Sequence, residues 1–245
     1  MEILGIDIGG SGIKGAPVAL ETGQLARSRK KILTPQPSTP EAVAAVVVEL
    51  VTHFDWEGPI GCTLPSVVRH GIVHSAANID KSWIGVDGEK LLRKATGQNV
   101  TLLNDADAAG IAEMRFGAGR DRDGVVFILT FGTGIGSGVF VDGHLHPNTE
   151  LGHLEFKGMD AEHYAAARVR EAEKLSYKKW GNRVNEYLEH LENVFSPDLF
   201  IIGGGVSRKL EKFEQYLVVE TEVVPAQLRN EAGIVGAALI ARDRL

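Results

Sequence analysis

Apolar positions along this chain follow two alternating rhythms. Short apolar runs that end in glycine or an acid read as strands; longer stretches with apolar residues three or four apart read as helices. EILGIDI (2–8) is a strand, and IKGAPVAL (13–20) is its hairpin partner across a glycine turn. PQPSTP (35–40) is a loop; Thr39 suits a helix cap, Pro40 the first helical position and Glu41 the positive helix end. The helix AVAAVVVELVTHF that follows is apolar nearly all round and is expected to be well buried. PIGCTLPSVV (59–68) reads as a strand running into a loop, and NVTLLND (99–105) as a strand with a polar end. ADAAGIAEMRFGAG is a helix that stops at Gly117 or Gly119.

The second half opens the same way. VVFILTFGTGIGSGVFVDG (125–143) is again strand, glycine turn and strand. Ala161 to Leu175 is charged and alanine-rich, hence helical. Ser176 caps a further helix in which Trp180, Val184, Tyr187, Leu188, Leu191 and Phe195 share one face, ended by Ser196-Pro197. DLFIIGGGVS is a buried strand, a triple-glycine turn and a helix start; LRNEAGIVGAALIARDRL is a helix with small residues on one side. Laying Asp7 on Thr130 puts Gly9 on Gly132 and Gly15 on Gly138, with apolar residues before each. This internal match predicts a duplicated α/β fold with a ligand in the cleft between two lobes. The first lobe is expected over residues 1–108 with the last helix (about 232–245), the second over 109–231.

Composition narrows the class. At 245 residues, with 44% hydrophobic and 24% charged residues, a sizeable core is available. The net charge of −6 gives no global basic field, so nucleic acid is not an expected partner and a polyanion would need a local basic patch. A single cysteine, Cys62, leaves no intramolecular disulfide and no multi-cysteine zinc cluster. No charged-then-apolar leader and no run approaching ~18 apolar residues is visible, so a cytoplasmic protein without a membrane partner is expected.

The glycine turns carry the chemistry. Lys14 follows Ile13, so GIDIGGSGIKG fails the G-x-x-x-x-G-K-[ST] phosphate loop, and no turn fits a strand-to-helix dinucleotide fingerprint. What remains is a hairpin turn whose backbone N–H groups can converge on an anion. Gly9, Gly10 and Ser11 are candidates in the first turn, and Gly132, Thr133 and Gly134 in the second, with Thr130 matching Asp7. Asp7 at a strand end could hold Mg²⁺ through water, and Lys14 reaches either a phosphate chain or solvent. The plain alternative is a tight hairpin in which glycine only supplies positive φ. Gly203, Gly204 and Gly205 could present N–H groups to a phosphate or lie flat against a base; the alternative is close helix–strand packing.

Asn104-Asp105 ends a buried strand where α/β clefts do their chemistry. One carboxylate there can accept the proton of an attacking hydroxyl in phosphoryl transfer, and a helix N-terminus favours its ionised form. The plain alternative is a helix cap. Glu150 and His153, three apart with Gly152 for close approach, look like sugar-hydroxyl contacts, with a zinc pair disfavoured for want of a third ligand. Asn78, Asp80 and Trp83 combine hydrogen-bonders with an aromatic face.

DIGGSGIKG, LNDADAAG, TFGTGIG, NTELGH and IIGGG occur in the order and spacing of the ROK sugar kinases, which this chain resembles over nearly its whole length. TLPSVVRHGIVHSAANIDKSWIGVD and FGTGIGSGVFVDGHLHPNTELGHLE resemble the polyphosphate glucokinase branch, which includes polyphosphate/ATP glucomannokinases. The resemblance implies an actin-like, ribonuclease-H-like fold and Mg²⁺-dependent phosphoryl transfer to the glucose 6-hydroxyl. It implies that Asp105 is the catalytic base and that Asn78, Asn104, Glu150 and His153 contact the sugar. It also implies that Asp7, Gly9, Gly10, Thr133 and Gly134 belong to two phosphate loops, and Gly203–Gly205 to a nucleotide-side turn.

Many family members carry a cysteine zinc cluster after E-x-G-H; LEFKGMDAEHYAAARVRE has no cysteine, so no zinc is expected. Glu162 is the best counterpart of the sugar-binding glutamate beside that cluster. Family likeness implies a homodimer whose partners are glucose and polyphosphate, ATP or both. The alternatives are an ATP-only glucokinase, a kinase of another hexose, or a non-catalytic sugar sensor. Lys14, Arg69, Lys81, Arg115 and Arg120 are candidates to line a polyphosphate groove.

Overall fold

The computed structural model describes residues 1–243 of the chain. They divide into two compact units, residues 1–112 with 231 onward, and residues 113–230.

The first unit is built on strands β1 (Glu2–Ile8), β2 (Ile13–Ala19), β3 (Gln24–Leu25), β4 (Lys30–Ile32), β5 (Ile60–Leu64) and β8 (Val100–Asn104), with a small hairpin of β6 (Val68–Arg69) and β7 (Ile72–Val73). The sheet order is β3-β2-β1-β5-β8, with β4 also pairing β2. β1 and β2 are antiparallel and β1, β5 and β8 parallel. β5 and β8 are buried along their whole length, as strands covered on both faces must be. Helix α1 (Pro40–Phe54) starts where its sequence says, with the Thr39 hydroxyl accepting from the Ala42 N–H and Pro40 in the first turn. It is not buried all round. Val43, Ala44, Val47, Leu50, Val51 and Phe54 face the core, whereas Ala45 is exposed and Val46 only half-buried. Helices α2 (Gly88–Thr96), α3 (Asp105–Phe116) and α7 (Ala232–Asp243) complete the unit, which ends within α3, after Ala112.

α7 is placed by missing side chains. A Cβ at Gly5 on β1 would overlap the Ile234 carbonyl, one at Gly61 on β5 the Ala237 carbonyl, and one at Gly236 on α7 the Ala108 carbonyl of α3. The small-residue side legible in the sequence is therefore a backbone-to-backbone seat.

The second unit repeats the plan. Its strands are β9 (Val125–Phe131), β10 (Ile135–Val141), β11 (His144–His146), β14 (Leu199–Gly203) and β15 (Glu222–Pro225), in order β11-β10-β9-β14-β15. A separate hairpin is formed by β12 (Glu155–Phe156) and β13 (Met159–Asp160). The duplication is thus one of topology as well as sequence: an antiparallel hairpin followed by parallel strands on the far side of its first strand. The register corrects one detail. Ile8 pairs with Ile13 but Phe131 with Ile135, so the second turn is one residue shorter. Gly15, opposite Ile6, therefore corresponds to Ser137, opposite Leu129, and not to Gly138.

The stretch 161–175 is broken into α4 (Ala161–Ala165) and α5 (Ala167–Ala172), because Ala166 is extended at ψ 155. α6 (Tyr177–Phe195) is capped by Ser176, whose hydroxyl accepts from the Lys179 N–H. Trp180, Val184, Tyr187, Leu188 and Leu191 are buried in its core, while Phe195 at the last turn is 40% exposed. The glycine turn after β14 leads into a 3₁₀ segment, Ser207–Lys212, and not a full helix. The Glu113 carboxylate in α3, 1% exposed, accepts from the N–H groups of Ala118, Gln227 and Leu228 and so fixes the chain before α7.

Replacing Gly61 with alanine places a methyl group in the backbone of α7, where no side chain can turn away. We expect Gly61→Ala to cost about 3 kcal/mol or more, read as a lowered denaturant midpoint with circular dichroism; an unchanged midpoint would show that α7 seats otherwise.

Candidate active site

In the first unit the β1–β2 turn places Asp7 and Lys14 opposite each other. Lys14 Nζ lies 3.3 Å from Asp7 Oδ2, both groups partly buried. The other carboxylate oxygen accepts from the Thr63 hydroxyl at 3.0 Å, and that hydroxyl in turn accepts from the Ile8 N–H at 3.2 Å. The open question over Lys14 is answered locally: its amine meets Asp7. Gly233 at the start of α7 backs Asp7, since a Cβ there would stand 3.0 Å from the carboxyl carbon.

The turn itself is partly self-satisfied. The Gly9 N–H bonds the Gly12 carbonyl at 3.2 Å, and the Thr34 hydroxyl bonds the Gly9 carbonyl at 2.5 Å. Gly9 is thus not a free donor; the N–H groups of Gly10 and Ser11 have no protein acceptor among the described residues. Gly10 also explains the position of Asn78. A Cβ on it would stand 2.7 Å from the Asn78 carbonyl, so the sugar candidate Asn78 lies directly over the turn.

Asn104 ends β8 and caps α3. Its Oδ1 accepts from the N–H groups of Ala106 at 2.8 Å and Asp107 at 3.0 Å, and its Nδ2 donates to the Ser66 carbonyl at 3.1 Å. The cap role weighed for Asp105 is therefore carried by its neighbour, although Asp105 Oδ1 also accepts from the Ala106 N–H. This leaves Asp105 as the first residue of α3, half-buried at the strand end. Ser66, which sequence reasoning missed, both holds Asn104 and has a buried hydroxyl without a protein partner. Trp83 is fully buried, its indole N–H bonded to the Ser38 carbonyl at 3.0 Å. It is a core residue and offers no aromatic face to a ligand, and Asp80 caps its 3₁₀ turn.

In the second unit Glu150 and His153 lie on a single 3₁₀ turn, with His153 Nδ1 3.1 Å from Glu150 Oε2. Gly152 makes its close approach to the Ile135 carbonyl of β10, where a Cβ would overlap, and not to a ligand. The turn is clamped by groups without a sequence signal. The Ser137 hydroxyl accepts from the Leu151 N–H and donates to the Thr149 carbonyl, and the Tyr187 hydroxyl donates to the Leu151 carbonyl. Burial pushes the Tyr187 phenol up, which keeps it a donor.

Glu162, at the start of α4, folds onto the second glycine turn. Its Oε2 accepts from the Ile135 N–H at 3.2 Å and fills the space beside Gly134. Burial raises the Glu150 carboxyl above the usual range; His153 opposes this and the Glu162 charge adds to it. In this turn the Gly132 N–H bonds the Gly134 carbonyl, leaving the N–H groups of Thr133 and Gly134 without protein acceptors among the described residues. The Thr130 hydroxyl bonds the Gly136 carbonyl at 3.4 Å, so it does not repeat the acid role of Asp7. Gly203 packs on Thr130, and Gly204, at φ +78, on the Phe131 backbone; only Gly205 faces open space. Two of the three glycines therefore serve packing.

Of the five basic residues nominated for a groove, Lys14 meets Asp7 beside the first glycine turn, Arg120 pairs with Asp121 and Arg115 lies over Phe116. Among the described residues, no group of three or more histidine, cysteine or acidic side chains could hold a metal ion, and no helix is long and apolar enough to cross a membrane.

A family model described as the ROK family matches residues 3–164. The polyphosphate glucokinase of Mycobacterium tuberculosis is 56% identical over 96% of this chain and 89% of its own length, and that of Mycobacterium leprae 52% identical over 96% and 73%. Among solved structures, the inorganic polyphosphate/ATP-glucomannokinase of Arthrobacter sp. strain KM is 47% identical, covers 100% of this chain and 99% of its own, and superposes with a TM-score of 0.95. A ROK family glucokinase from Streptomyces griseus, solved with glucose and AMPPNP, is 26% identical with a TM-score of 0.83, covering 99% and 100%.

A raised carboxyl gives a signed expectation. Between the unfolded and folded titration points of Glu150 the native state holds a proton that the unfolded chain has lost, so stability falls as pH rises through that window. Glu150→Gln should raise the urea midpoint at pH 7 and leave it unchanged below about pH 3, where the carboxyl is neutral in the folded and the unfolded chain alike. An equal gain at both pH values would remove the titration as its cause.

Proposed function

Because the chain belongs to the ROK family, we infer that it is a glucokinase that transfers the terminal phosphoryl group of inorganic polyphosphate to the 6-hydroxyl of glucose, giving glucose 6-phosphate. The observation that carries this reading is the 56% identity to a polyphosphate glucokinase over 96% of the chain.

In this reading the glucose O6 attacks the terminal phosphorus. The new O–P bond forms as the bridging P–O bond breaks, the shortened polyphosphate leaves with the bond pair, and the O6 proton passes to the Asp105 carboxylate. Such a transition state is loose, so positioning and charge matter more than base strength. Asp105 suits the role because Asn104 has taken over the cap and leaves the acid at the strand end. Asn78 over the first turn and the Glu150–His153 pair on its clamped turn are the proposed sugar contacts. Asn104 has little capacity left, since its amide is engaged three times, and Ser66 offers an unpartnered hydroxyl nearby in the chain fold. The Glu162 carboxylate touches the second turn, which supports a part in shaping that loop as well as in meeting the sugar.

The unpartnered N–H groups of Gly10, Ser11, Thr133 and Gly134 are the proposed phosphate donors. Mg²⁺ fits Asp7 through water. A single carboxylate, already held by Lys14 and Thr63, suits an ion that keeps most of its hydration shell. Bound there it would neutralise charge on the phosphate chain. ATP as a second donor, Gly205 beside its base, a homodimer and a cytoplasmic location belong to the same proposal. Dual donor use is supported by the Arthrobacter neighbour, described as a polyphosphate/ATP enzyme.

Coupled assays with long-chain polyphosphate and with ATP as separate donors test the reading. We expect glucose 6-phosphate from polyphosphate; turnover with ATP alone would replace it with an ATP-dependent glucokinase, and turnover with neither would overturn the glucokinase reading in favour of a kinase of another hexose or a sugar sensor. Asp105→Asn should lower kcat by about 10²–10⁴-fold with an unchanged fold by circular dichroism. Turnover within twofold of the parent would remove Asp105 from the base role.

A further inference from the structure

The registers of the first sheet align one transverse row of side chains beside the glycine turn. Thr63 on β5 is paired with Asp7 on β1, Asp7 with Lys14 on β2, and Lys14 with Lys31 on β4. Cross-strand partners share a face, so an acid and two lysines stand side by side. Asp7 is matched to Lys14 at 3.3 Å, which leaves the second lysine over. The Lys31 side chain has no ion pair or hydrogen bond among the described residues, although it stands opposite another cation. Like charges directly opposite each other on a sheet are destabilising. An unmatched cation in that position is a cost unless an anion arrives to share it.

The turn is shaped to receive this lysine. A Cβ at Gly12 would overlap Lys31 Cε and stand 3.4 Å from its Nζ. The Lys31 side chain therefore lies across the bare backbone of Gly12, with its ammonium at the phosphate turn whose Gly10 and Ser11 N–H groups lack protein acceptors. Gly12 is not needed for a positive φ; its missing side chain is the space that Lys31 fills. None of this was legible from motif spacing, because Lys31 lies on a separate short strand.

We propose that Lys31, laid over Gly12 and flanked by Lys14, binds phosphates of the donor beyond the one transferred, and so forms the first station of a polyphosphate track on this unit. This rests on the polyphosphate reading above and names the residues of that same site that would distinguish a long polyanion from a short one. An anion held at the turn would neutralise the surplus charge of the row, and the strength of that contact falls as salt screens it.

The test uses the full chain and two complementary variants. Lys31→Ala removes the charge; Gly12→Ala keeps it but pushes the side chain off the turn. Both should raise the KM for long-chain polyphosphate about fivefold or more, leave the KM for glucose within twofold, and weaken the dependence of polyphosphate KM on salt. Lys31→Arg should recover most of the loss. A polyphosphate KM within twofold of the parent in Lys31→Ala would overturn the proposal, as would an equal rise in the glucose KM, which marks a general disturbance of the fold. Direct binding of long-chain polyphosphate to parent and Lys31→Ala, measured by calorimetry without glucose, separates this from the activity assignment. If the parent shows no turnover with polyphosphate, weaker binding in the variant still supports the track and the activity reading alone fails. Equal binding overturns the track whatever the turnover.

Discussion

The contact on which the first unit depends is the backbone approach of α7 to β1 and β5. Gly5 and Gly61 remove the methyl groups that would hold helix and strands apart, and Gly236 does the same between α7 and α3. At that separation even one added carbon meets a carbonyl, and an interior packed like a crystal cannot absorb it. The consequence reaches the chemistry, because Gly233, in the first turn of the same helix, lies against the Asp7 carboxyl. The position of the acid at the turn is thus set from behind by a helix more than two hundred residues further along the chain.

Glycine has three different tasks in this molecule, and the distinction decides how its turns are read. Some glycines admit a neighbouring backbone, as Gly152 does for Ile135 and Gly204 does for Phe131. Gly10 and Gly12 admit a specific piece of a neighbour, the Asn78 carbonyl and the Lys31 side chain. Gly132 and Gly205 meet nothing, and open space at a strand end is where a ligand can come closest. The two glycine hairpins are similar in topology and different in charge. The first carries Asp7, Lys14 and Lys31; the second has Thr130 in place of the acid, Gly136 in place of Lys14 and the Glu162 carboxylate folded against it. The second hairpin keeps the topology of the first, with a turn one residue shorter and different surroundings.

Polar groups that carry no motif do much of the positioning. Ser137 and Tyr187 clamp the Glu150–His153 turn, Ser66 holds the Asn104 amide, and Glu113 gathers three N–H groups ahead of α7. None of these residues belongs to a motif whose spacing would mark it; burial makes each bond consequential, since an unmade one has no water to replace it.

The sequence by itself determined the local order of the chain. Period-two and period-3.6 patterns placed the hairpins and α6, Thr39-Pro40 and Ser176 marked helix starts, and the repeated strand–turn–strand predicted two sheets of like topology. These follow from interactions a few residues apart, which composition and spacing record directly. The helix break at Ala166, the exposed faces of α1 and the burial of Trp83 did not follow, because each depends on what packs against it. Motif spacing likewise brought Asp105, Glu150 and His153 into view, whereas Lys31 and Ser66 stayed hidden. Which lysine meets Asp7 and which lies over Gly12 were decided by strand register. Register joins residues far apart in the chain, and only the folded backbone fixes it.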